Sequence, residues 1–195
     1  MRYLLKEEVV RSRDVMFLPE YEIDLLSEST TAYEYRLDED QYPVEEIAEA
    51  AFLSGFRGPE AIKQQVKWLS SENKIVRYWA AMGLRSQHPD DMKLFSEVVI
   101  QAMEDEYPPV AVTASAIAYG MFQNKEAAKK LKAFCASPDL NISLMAVNYL
   151  LYTRNKEPFV ETIRRVHKME DRDYNVKAAC MDFLGSMGLV PNNPD

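Results

Sequence analysis

The sequence predicts an all-α fold: an α-α superhelix, a solenoid of about four stacked helix pairs plus a capping helix, preceded by an irregular N-terminal arm. Three observations predict it. Apolar residues recur at a 3.6-residue period along most of the 195 residues. A triplet of apolar or small residues returns at a near-constant interval. Capping residues and prolines punctuate the runs between its occurrences.

The triplet is clearest in "NKIVRYWAAMGL", residues 73–84, where Val76, Ala80 and Leu84 are four apart. Val110, Ala114 and Ala118 match it, as do Ile142, Ala146 and Leu150, and Val176, Cys180 and Leu184. The triplets are separated by steps of 34, 32 and 34 residues. Each has a small residue in the middle, where one backbone can approach another closely. A period of that size marks a repeat architecture, in which a helix pair cannot bury its apolar face alone and stacks on its neighbours. The middle residues are expected to be buried where one inner helix touches the next.

Taken in order, the elements begin with the arm, residues 1–42. "YLLKEEVVR" suits a short helix, whereas "MFLPEYEIDLL" and "TTAYEYRLDEDQYP" read as an extended, acidic segment. A solvated tail would not hold Met16, Phe17, Leu18, Tyr21, Ile23, Leu25, Leu26, Tyr33 and Tyr35. The arm therefore either wraps the repeats or joins a neighbouring domain. Phe17, Leu18, Glu20, Tyr21, Tyr33 and Tyr35 are the candidate domain-interface residues.

Residues 43–195 form the repeat domain. "VEEIAEAAFLS" (44–54) is a helix that caps the stack. Outer helices follow over 59–70, 90–106, 124–137 and 157–171, with apolar stripes such as Ile62, Val66 and Leu69, or Phe95, Val98, Val99 and Ala102. Inner helices are expected near 73–86, 107–122, 140–154 and 174–187. Asn73, Asp139 and Asp173 stand at their N-caps, where a side-chain oxygen accepts from the free N–H groups of the first turn. Tyr107 lacks such an oxygen, but Pro108 and Pro109 supply the start signal.

Composition narrows the function. Hydrophobic residues are 47% and charged residues 28% of the chain, a globular balance. A formal charge of −8 argues against a nucleic-acid partner, which needs clustered Lys and Arg. Lys129, Lys130 and Lys132, and Arg164 with Arg165, read as solvated helix faces. No apolar run is long enough to span a membrane, and "MRYLLKEEVVRSRD" has too short an apolar stretch for a secretory signal.

Chemistry-bearing motifs are lacking. Cys135 and Cys180 lie on apolar stripes, outside any CxxC pair, and read as buried free thiols. His88 and His167 are neither spaced as metal ligands nor set beside a nucleophile. The acidic runs Asp38-Glu39-Asp40 and Glu104-Asp105-Glu106 lack the central glycine of a calcium loop. No catalytic, cofactor-binding or metal-binding residue is assigned.

The capping residue, the apolar anchor and the basic residue after it (Arg77, Lys177) resemble the HEAT-repeat pattern. A longer resemblance rests on the order of several pieces: "FLPE", Thr31-x-Tyr33-x-Tyr35-Arg36, Tyr42-Pro43 with Ile47, Trp68-Leu69, and "VRYWAAMGL" at 76–84. That order is similar to the C-terminal region of bacterial sulfatases of the arylsulfatase and heparan N-sulfatase-like type, over roughly residues 14–90. The resemblance implies a non-catalytic, HEAT-like piece of a sulfuric ester hydrolase, with 1–42 as arm or linker from a catalytic domain. Its partner in cis would be that domain, and a sulfated glycan its substrate. Calcium and formylglycine would belong to the catalytic domain alone: "CASPD" at Cys135 and "CMDFL" at Cys180 do not match the C/S-x-P-x-R motif. The implied location is periplasmic or secreted. The alternative is a free-standing, cytoplasmic HEAT-like adaptor that binds another protein.

Overall fold

The computed structural model describes residues 2–189. The chain forms two compact units, Met1–Ala102 and Met103–Asp195. Among the described residues every regular element is an α-helix or a short 3-10 turn, and none is a strand. The all-α expectation holds.

In the first unit, α1 (Arg2–Ser12) packs on α4 (Val44–Leu53). In turn α4 packs on α5 (Pro59–Trp68) and α6 (Lys74–Arg85), which also pack on each other. Between α1 and α4 run two further helices, α2 (Glu20–Ser27) and α3 (Ala32–Tyr35), packed together. The extended reading of this stretch is therefore corrected. Pro19 occupies the N-cap of α2, and Glu20 and Glu22 lie in its first turn, where carboxylates suit the helix dipole. Thr31 and Glu34 form a reciprocal capping box that starts α3. Both helices are too short to leave a clear periodic trace.

A second correction concerns residues 90–106, expected as one helix. They break into α7 (Pro89–Met92), a 3-10 turn (Lys93–Phe95) and α8 (Ser96–Ala102). The tightened turn rotates the apolar stripe, so Met92 and Val99 are buried while Phe95, Val98 and Ala102 are half-buried.

The second unit repeats one arrangement. Its inner helices are α9 (Pro108–Phe122), α11 (Leu140–Leu151) and α13 (Tyr174–Gly185). Here α9 packs on α11, and α11 on α13. Outside them, α10 (Lys125–Cys135) packs on both α9 and α11, and α12 (Val160–Lys168) packs on α13 and α10. A 3-10 turn, Glu157–Phe159, replaces the first turn expected for α12, with Pro158 inside it.

The triplets fall where the spacing places them. All twelve residues are buried, none more than 4% exposed. Asn73 Oδ1 accepts from the backbone N–H groups of Ile75 and Val76, Asp139 from Ile142 and Asp173 from Asn175. Tyr107 gives no side-chain cap, and Pro108 and Pro109 open α9. Basic side chains bind the turn before the helix. Arg77 donates to the carbonyls of Ser71 and Glu72, both at 3.0 Å, and Lys177 reaches that of Glu170 at 3.4 Å.

One buried polar knot braces α6. Gln65 Nε2 donates to the Leu53 carbonyl, and Gln87 Nε2 to Gln65 Oε1 and the Phe56 carbonyl. Gly83 lies against the Gln65 side-chain amide so closely that a Cβ there would displace it. Each buried amide group is thereby partnered, as a low-dielectric core demands.

Candidate functional site

The segment between α1 and α4 holds every candidate interface residue, and it is fastened to its unit by specific contacts. Arg13, in the left-handed backbone region at φ 51°, ends α1 and turns its guanidinium into the segment. It donates to the carbonyls of Arg36 and Tyr42 and pairs with Glu39. The Tyr42 hydroxyl, fully buried, donates to the Asp14 carbonyl. Burial, with Asp14 adding to it, pushes the Tyr42 phenol up to about 12.

Helix α6 supplies the other side. The Trp79 indole N–H donates to the Phe17 carbonyl at 2.8 Å, and the two rings meet edge to face, with centroids 6.2 Å apart. Lys74 Nζ lies 2.7 Å from Glu22 Oε1, and Glu22 is buried. Its second oxygen, also buried, has no hydrogen-bond partner among the described residues. Burial chiefly, with the Glu22 carboxylate beside it, raises the Tyr35 phenol above its ordinary value. The Tyr35 hydroxyl donates to the Gln41 carbonyl at 3.3 Å.

The candidate interface residues therefore separate. Leu18 and Tyr35 are buried within the unit. Phe17 and Tyr21 are half-buried, Glu20 is exposed, and Tyr33 is 61% exposed with the Arg36 guanidinium over its ring at 4.5 Å. Sequence reasoning did not single out Met16, Ile23, Leu25 and Leu37 as interface residues, yet all four are exposed, as Tyr33 is. Helical phase separates exposed Tyr33 from buried Tyr35 and is legible only once α3 is known to be a helix, whereas Met16, Phe17, Leu18 and Leu37 lie outside both helices.

Other groups of chemical interest lie apart. Cys135 and Cys180 are buried free thiols in the second unit. Burial raises both, Cys180 to about 11, so neither is a thiolate nucleophile at neutral pH. Cys135, wholly inside the core and followed by Ser137-Pro138-Asp139, does not fit a formylglycine precursor. His88 is exposed and caps α7 by accepting from the Asp90 N–H. Among the described residues no group of three His, Cys, Asp or Glu side chains is placed to hold a metal, and no helix is long and apolar enough to cross a membrane. No protein-family model matches the chain, and no curated protein or solved structure is detectably similar to it.

Proposed function

We propose that this chain is a non-catalytic, HEAT-like helical-repeat module, the C-terminal part of a bacterial sulfatase that acts on sulfated glycans, and that it packs on the catalytic domain in cis. The supporting observation is the convergence of the matching residues. Phe17 and Leu18 from "FLPE", Tyr35 and Tyr42 from the next two pieces, and Trp79 from "VRYWAAMGL" lie in one compact unit, with Phe17 against Trp79 and Tyr35 against Tyr42. The inner-on-inner packing of α9, α11 and α13 supports the HEAT-like superhelix. On this reading the chemistry, with its calcium and formylglycine, resides in the catalytic domain, and the protein works in the periplasm or outside the cell.

The test is the reading frame upstream of the Met1 codon. An in-frame C/S-x-P-x-R motif is the expected result. An in-frame stop with its own ribosome-binding site would overturn the sulfatase reading. The free-standing adaptor would then stand in its place, a reading favoured by Leu18, Tyr35 and Tyr42 being satisfied inside this chain.

A further inference from the structure

Helix α12 divides its side chains into two faces. Val160, Thr162, Ile163 and Val166 are buried, whereas Glu161, Arg164, Arg165 and Lys168 are exposed. Spacings of three, four and seven residues put the exposed four on one stripe of the helix. With Met169 they line a single open cleft of about 570 Å³.

The cations of this stripe lack counter-charges. Among the described residues the side chains of Arg164, Arg165 and Lys168 make no ion pair or hydrogen bond, even with Glu161 one turn earlier. Helix α10, which packs on α12, is different: Lys129 pairs with Glu126, Lys130 with Glu104, and Lys132 Nζ stands over the Phe159 ring. Together the two helices carry seven Lys and Arg against two Glu, in a chain of net charge −8. The helix dipole favours cations in the last turn, at Arg165 and Lys168, but Arg164 lies before it. Like charges three and four residues apart repel, as Arg165 and Arg164 do with Lys168. Three such cations without a counter-charge are unfavourable on a face that meets only water.

We infer that the outer face of α12 is an oxyanion subsite, in which Arg164, Arg165 and Lys168 hold sulfate groups of a sulfated glycan. The source of the anion rests on the sulfatase reading; the charge and the shared face do not. Planar guanidinium donors match two oxygens of one tetrahedral anion, and Lys168 adds a further positive charge beside them. No aromatic ring lines the cleft to stack on a base, and Met169, its one apolar side chain, is half-buried and cannot anchor a bilayer. Nucleic acid and membranes are therefore the poorer occupants. A subsite of this kind grips the glycan at sulfates other than the one hydrolysed.

The experiment uses the full chain and a heparin-derived hexasaccharide, followed by calorimetry and by hydrogen-exchange footprinting. Expected are saturable binding, protection within residues 160–169, and affinity that weakens as salt rises. The desulfated hexasaccharide should not bind. Arg164→Gln/Arg165→Gln removes two charge-assisted contacts and should lose at least about tenfold in affinity. Lys125→Gln/Lys129→Gln makes the same change of charge on α10 and should lose less than about threefold, since only the distant field changes. All four positions are exposed, and a melting temperature close to that of the parent chain qualifies either variant. Absence of binding, a footprint elsewhere, equal losses from the two variants, or equal affinity for polyphosphate or an oligoglutamate of the same charge would each overturn the inference. Any of these results beside an upstream C/S-x-P-x-R motif strikes the subsite alone. An upstream stop strikes the sulfatase reading whatever the binding shows, so the two proposals fail separately.

Discussion

The segment 14–42 and the repeat helices of 103–189 are held in place by different physics. In the second unit, periodic apolar triplets close on one another, and Ala114, Ala146 and Cys180 are fully or almost fully buried on α9, α11 and α13. Stabilisation there is distributed over many van der Waals contacts. In the segment, three buried side chains, Leu18, Tyr35 and Tyr42, are joined by a few singular contacts: the Arg13 fan, the Lys74–Glu22 pair and the Trp79–Phe17 tether. A periodic core tolerates loss of a polar contact but not a change of volume. A segment held by a few tethers has the opposite sensitivities.

The largest expected effect follows from volume. Phe159 is fully buried and meets the Tyr119 ring edge to face at 4.9 Å. Phe159→Ala should destabilise the protein by about 3–5 kcal/mol, read by denaturant unfolding. Ala146→Leu probes the same unit in the other direction. Overpacking a fully buried position on α11 should cost about 1–3 kcal/mol. A melting temperature unchanged by either substitution would break the distinction between the two regions.

The segment should answer to charge instead. Lys74→Ala leaves the Glu22 carboxylate buried without its cation, which should cost about 1–3 kcal/mol, below the range for a fully buried pair because Lys74 is partly exposed. Glu22→Leu should be nearly neutral, since it removes the buried charge while the Lys74 ammonium, partly exposed, keeps its access to water. Equal losses from both variants would mean that the pair matters for packing rather than for charge. Hydrogen exchange should place the Lys74→Ala effect in residues 14–42.

Alkali gives a second handle on the segment. Tyr42 is raised from 10.0 to about 12, so its neutral form is favoured in the folded protein. Its contribution is fully present below pH 10 and is lost as pH rises through 12. Fluorescence of Trp79, which touches Phe17, should change across that window. Tyr42→Phe removes the ionisation and should move the change to higher pH.

What the sequence made legible follows the same division. The triplets and caps placed α6, α9, α11 and α13 within a few residues, because small and apolar side chains at four-residue spacing serve only close helix packing. The same frame extends one step further. Val44, Ala48 and Phe52 precede Val76, Ala80 and Leu84 by 32 residues, and α4 packs on α6 as α9 does on α11. That fifth triplet escaped notice because it closes on a bulky aromatic, Phe52, in the last turn of α4, and Glu45 stands where Arg77 stands in α6. With α4 an inner-type helix packed on α1, residues 13–43 lie between two paired helices. The segment itself was illegible for a physical reason. Its helices are shorter than three turns, and one of them directs a glutamate inward, which no hydrophobic period reveals.

The smallest effect isolates one tether. Trp79→Phe keeps an aromatic ring against Phe17 but removes the indole donor from the Phe17 carbonyl, 2.8 Å away. A neutral hydrogen bond of this kind contributes about 0.5–1.5 kcal/mol, so the midpoint of global unfolding should hardly move. Local opening is another matter. If the segment opens without the repeats, about 1 kcal/mol taken from its tether raises its open population about fivefold, and cleavage rises in proportion. A Glu-specific protease should therefore cut after Glu20, Glu28, Glu34 or Glu39 several-fold faster in the variant, while residues 103–189 stay intact. Cleavage accelerated equally in both regions would show that the segment and the repeats unfold together, and the contrast between them would fall.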